Sequence, residues 1–112
     1  MAKIVIFYSK DGGTNFDMEY YCEKFVPFLE ELWGDALKGV EVDRGVYGGE
    51  PDTDAFFIAM GQFVFDTQEE AIQAYFSNLD KIDAERLNFT DIKPIAQITD
   101  RILDKHLTKK QA

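Results

Sequence analysis

The sequence is 112 residues long, the size of one ordinary domain. Its formal net charge of -9 argues against phosphate-rich partners, because nucleic acid and anionic membrane surfaces require clustered Lys and Arg. The one basic cluster, Lys105, His106, Lys109 and Lys110, is too small to offset that charge. Ten Phe, five Tyr and one Trp in a chain that is 46% hydrophobic point to a packed core rather than disorder.

Cys22 is the single cysteine, which excludes an intrachain disulfide and a cysteine-based zinc site. One His and scattered carboxylates give no ligand spacing, so neither a metal nor another cofactor is expected. The opening apolar run is broken by Ser9, Lys10 and Asp11. It is too short for a signal peptide or a membrane span, and the cytoplasm is the expected compartment.

In chain order, Ile4 to Tyr8 is rich in β formers and ends at Asp11-Gly12-Gly13, which predicts a first strand and a turn. Asn15 or Asp17 can cap a helix running to about Trp33, with Gly34 as its stop. Tyr21, Cys22, Phe25, Phe28, Leu29 and Leu32 form its wide apolar face. Pro27 removes the hydrogen bond to Glu23 and is expected to kink or divide the helix.

Alternation of Val40, Val42 and Val46 with Glu41 and Asp43 predicts a second strand over Gly39 to Tyr47, and a third follows from Phe56 to Phe65. Thr67-Gln68-Glu69-Glu70 is a capping box opening a helix with Ala71, Ile72, Tyr75, Phe76 and Leu79 as its apolar stripe. Residues 80 to 89 read as a looser link. Ile92 to Ile98 reads as a fourth strand, placed at a sheet edge by Pro94, which has no backbone N–H to donate. The order βαββαβ is the ferredoxin-like plan of an α+β fold: an antiparallel sheet with both helices on one face.

The third strand is apolar on both faces, with Phe56, Ile58, Met60, Gln62 and Val64 opposite Phe57, Ala59, Gly61, Phe63 and Phe65. The first strand sets Ile4, Ile6 and Tyr8 against Val5 and Phe7. A sheet with one wet face should alternate apolar with polar. Leaving Val5, Phe7, Phe57, Phe63 and Phe65 in water would forgo on the order of 1.5–3 kcal/mol per large side chain. These five are therefore the expected interface with a second copy, giving a twofold homodimer. The alternative cover, the tail 100–112, offers only Ile102, Leu103 and Leu107.

Four segments carry a resemblance. They are Phe16-Asp17-x-x-Tyr20-Tyr21 with Pro27, Leu37 to Gly45, Ala59-Met60-Gly61 leading to Phe65-Asp66, and Asn88 to Pro94. In this order they resemble the EthD family of the dimeric α+β barrel group, over roughly residues 3 to 99. The resemblance implies one domain over 1–99, with 100–112 as a charged tail that has room for a short helix. It also implies a homodimer whose sheets meet as a barrel, with a ligand pocket between each sheet and its helices.

The function implied is binding of a small apolar metabolite, as a cofactor-free oxygenase or isomerase linked to degradation of ethers or aromatic compounds. The alternative is an accessory protein that holds a ligand without turning it over. The family usually has His two residues before the helix proline; here that position is Phe25, which cannot move a proton near neutral pH. Tyr21, Phe25, Phe28, Trp33, Met60, Tyr75 and Phe76 are expected to line the cavity or else to fill the core. Tyr21 and Arg44 are the candidates for orienting or polarising a carbonyl, Arg44 having a salt bridge to Asp17 or Asp91 as its structural alternative. Cys22 reads as an inert core residue and His106 as solvated.

Overall fold

The computed structural model of the protein describes residues 1–13 and 15–108. The strands are β1 (Ala2–Ser9), β2 (Gly39–Arg44), β3 (Phe57–Phe65) and β4 (Ile95–Asp100). They lie in the order β2-β3-β1-β4 with every neighbouring pair antiparallel, as the ferredoxin-like plan requires. Helix α1 (Met18–Tyr20) continues through a π turn (Tyr21–Phe25) into α2 (Val26–Trp33), while α3 (Gln68–Ser77) and α4 (Leu79–Arg86) follow β3.

Local signals account for the helix ends. The Asp17 side chain accepts from the Tyr20 N–H at 3.0 Å, and Gly34 stops α2 in a backbone conformation with φ of 55°. Thr67 accepts from the Glu70 N–H at 3.1 Å and caps α3. The break expected at Pro27 takes the form of the π turn that separates α1 from α2. With no N–H at Pro27 to bond Glu23, the ladder widens so that the Val26 N–H reaches back five residues to the Tyr21 carbonyl.

Three boundaries differ from expectation. The second strand ends at Arg44 because Gly45 lies against the Phe57 carbonyl oxygen, and Val46 and Tyr47 are exposed. The link over 80–89 is mostly the regular helix α4. The fourth strand is the predicted edge strand but begins at Ile95, directly after Pro94. Residues 101–108 of the tail form no helix or strand; Lys109 and Lys110 of the basic cluster lie outside the described residues.

Register decides the two faces of the sheet. Phe63 pairs with Ile4 and Phe65 with Ala2, so both belong to the helix side, fully buried and each edge-on to Trp33 at 5.5 Å between ring centroids. They are therefore not available to a partner on the other face. Between Tyr8 and Ser9 the register slips, Tyr8 facing Ala59 and Ser9 facing Phe57. This bulge places Phe57 beside Phe7, 4.9 Å apart, on the uncovered face despite its even spacing from Phe63. The uncovered face thus carries Val5, Phe7, Phe57, Met60 and Val64 on its central strands, with Lys3 bonded to Gln62 among them at 2.9 Å and Glu41, Asp43 and Gln97 at the flanks.

Candidate functional site

On the helix side the end of β1, the π turn and the segment after α4 meet in a nest of aromatic rings. Tyr8 packs edge-on to Phe16, Tyr21 and Phe89 with centroids 5.1, 5.7 and 5.8 Å away. Phe25 stacks on Tyr21 and tilts against Phe89 at 4.8 Å. The nest is closed by backbone pairing: the Asp17 N–H donates to the Phe89 carbonyl, and Thr90 donates to the Asn15 carbonyl at 2.5 Å.

Within these rings sit three polar groups. Arg86, the last residue of α4, is only 5% exposed. Its Nε donates to the Tyr8 hydroxyl oxygen at 3.0 Å and its Nη1 to Asp83 at 2.5 Å. Its Nη2 is buried with no partner, and the buried Tyr21 hydroxyl has none either. Most buried polar groups are hydrogen-bonded, and an unmet one costs about 1–3 kcal/mol. Two such groups in one buried nest make it the candidate site.

The sheet makes room for Tyr21. A Cβ on Gly61 would run into the Tyr21 hydroxyl and lie 3.0 Å from Phe63 Cε2, so the bare backbone lets that hydroxyl sit down on β3. Burial raises the pKa of Tyr21, and it does the same to Tyr8 and Tyr75 against the opposing charge of Arg86. All three remain protonated donors at ordinary pH. Burial works against the charge of Arg86, but Tyr8 and Asp83 outweigh it and hold its pKa above the usual value.

The remaining predicted site residues do not converge. Trp33 borders an open groove of about 540 Å³ between α2 and α3, where its Nε1 donates to the Ala74 carbonyl at 3.0 Å. Phe28 lines a neighbouring groove with Leu32 and Lys81. Tyr75 and Phe76 border a crevice over Ile4 and Ile98, with Phe76 itself 61% exposed. Met60 pairs with Phe7 on the opposite face of the sheet, away from all of them. Cys22, expected in the core, is exposed. Arg44 is exposed at the end of β2, in the row Arg44–Ala59–Tyr8 across the sheet. Among the described residues it has no salt bridge to Asp17 or Asp91.

Arg86 and Tyr8 were not singled out by the sequence. The available signal was the spacing of Ile82 and Arg86, four residues apart on one helical face, the first apolar. Among the described residues no group of three or more His, Cys, Asp or Glu could hold a metal, and no helix is long and apolar enough to cross a membrane.

No family model matches the sequence, and no curated protein matches it. Solved structures do. An EthD-like protein from Ralstonia eutropha superposes with a TM-score of 0.82 at 28% identity, covering 93% of this chain and 94% of its own. This likeness supports the EthD family for the chain. A second member of that family, from Bacillus halodurans, has a TM-score of 0.68 at 20% identity over 91% of this chain and 99% of its own, a likeness of fold. Two of the segments that carry the resemblance, Phe16 to Tyr21 and Asn88 to Pro94, meet in the nest, bridged at Phe16 and Thr90.

Proposed function

We propose that this EthD-family protein binds a small apolar metabolite through a carbonyl oxygen at Tyr21 and acts on it without a metal or nucleotide, as an isomerase or oxygenase. The observation that carries the reading is the Tyr21 hydroxyl, 0% exposed, unpartnered and set against the bare backbone of Gly61. A fixed donor in a water-excluded aromatic surround stabilises negative charge as it develops on a carbonyl oxygen. Enolate formation, common to isomerisation and to cofactor-free oxygenation, develops charge at that atom. With Phe25 at the family's histidine position, removal of the proton falls to water or to Asp83, the carboxylate bonded into the cluster.

Tyr21→Phe separates this function from stability. Deleting an unmet buried hydroxyl should leave stability unchanged or raise it by up to about 1–3 kcal/mol. Affinity for a neutral aryl ketone such as acetophenone, followed by calorimetry, should fall about tenfold. Unchanged affinity in a folded variant would remove Tyr21 from the site.

We further infer that two copies pair through the uncovered sheet face, where Val5, Phe7, Phe57 and Met60 lie together. Contiguous apolar side chains on a sheet face with no helices make a surface that a partner can cover. Met60→Glu should leave the fold intact and convert a sedimenting dimer to monomer, because Met60 has no part in the helix-side core. A parent protein that sediments as a monomer at micromolar concentration would sink the pairing.

A further inference from the structure

We propose that Arg86 is an anion-recognition group, so that the molecule held beside Tyr21 is an apolar or aromatic carboxylate rather than a neutral carbonyl compound. This rests on the reading of the nest as a ligand site and narrows its ligand class.

Arg86 closes a short helix that buries only itself and Ile82. A long cationic side chain in that position can extend to water with its stem along the surface. Here it turns inward instead, to 5% exposure, among Tyr8, Tyr75 and the rings of the nest. A guanidinium presents five N–H donors in a rigid fork suited to carboxylate oxygens. One arm is committed to Tyr8 and one to Asp83, while Nη2, with two N–H groups, faces nothing.

The groups around Arg86 from the other elements do not supply an acid for it. Tyr8 comes from β1, Tyr75 from α3 and Tyr21 from the π turn, all neutral phenols. Asp83, on its own helix, is 56% exposed at the side chain, so solvent screens it and it balances the buried charge only in part. Tyr8 accepts from Arg86 through its oxygen and keeps its own proton to donate. Nη2, the Tyr8 proton and the Tyr21 hydroxyl are donors on residues packed about the Tyr8 ring, while Phe16, Phe25 and Phe89 pack on one another there, so an apolar body enters by parting these rings. Access requires α4 to tilt, and only Ile82 and Arg86 anchor that helix in the interior. In a protein of net charge -9, attraction of an anion needs such a local cation.

The test compares benzoate with acetophenone, which share the ring and differ in charge, by calorimetry on the full chain and by the NMR signal of the Arg86 Nε–H. Benzoate should bind at least tenfold tighter and shift that signal, while acetophenone leaves it in place. Arg86→Gln should lower benzoate affinity at least tenfold and so abolish the difference; Arg86→Lys should keep part of the benzoate preference. Equal affinities, or a benzoate preference that survives Arg86→Gln, overturn the carboxylate assignment and leave the carbonyl reading standing. Binding of neither probe overturns both. Where Arg86→Gln fails to fold, the two affinities and the Nε–H signal of the parent protein decide the matter by themselves.

Discussion

Phe63→Ala should lower the free energy of unfolding by about 3–5 kcal/mol, the usual cost of emptying a buried aromatic site. Phe63 is fully buried, pairs with Ile4 in the centre of the sheet and receives the edge of Trp33 from α2. Removing its ring opens a void between α2 and the sheet that neither the strand nor the Trp33 indole, tied to Ala74, can easily fill. The side of the sheet matters to how the loss appears. A helix-side residue destabilises each protomer, so the loss in a urea titration should be the same at two protein concentrations tenfold apart. A loss below about 1 kcal/mol, or one that appears only on dilution, would return Phe63 to the interface role that its spacing with Phe57 suggests.

Gly61→Ala should cost about 1–3 kcal/mol, the range for forcing an extra carbon into a packed site. The sign is informative, because Ala in a strand interior normally gains roughly 0.5–1 kcal/mol over Gly through the unfolded chain. A penalty must therefore come from contact. The new methyl meets the Tyr21 hydroxyl and lies 3.0 Å from Phe63 Cε2, both held by neighbouring rings. In a Tyr21→Phe background the hydroxyl is gone and only the Phe63 contact remains. The penalty there should be smaller by about 0.5 kcal/mol or more, as a double-mutant cycle reads directly. Strict additivity would mean that Tyr21 does not rest on Gly61.

Much of the fold is written in short-range signals. Asp17, Thr67 and Gly34 mark helix ends because a cap acts within three or four residues of itself, and those positions are where the helices begin and stop. The strand order follows from the alternation of elements once the βαββαβ plan is recognised. The faces of the sheet did not follow. Phe57 and Phe63 are an even number of residues apart, yet a single extra residue in β3 at Ile58 puts them on opposite sides. Such a bulge is fixed by pairing with a strand fifty residues earlier, and local periodicity carries no trace of it. Arg86 was hidden for a related reason. In Leu79–Arg86 charged residues outnumber apolar ones, and whether an arginine there points out or in depends on how the helix docks on Tyr8. Tyr21, by contrast, was legible, since it begins the apolar face of its own helix.

The π turn between Tyr21 and Phe25 has a consequence for how this site can change. It holds one residue more than an α-helix of the same span would need. Loss of one residue there would restore the regular ladder and turn everything before Pro27 by about 100° around the helix axis. The Tyr21 hydroxyl would then leave Gly61, and the Asp17 cap would swing with it. The aim of that hydroxyl is thus set by chain length together with Pro27, which opens the ladder. An insertion or deletion in the turn would point it elsewhere.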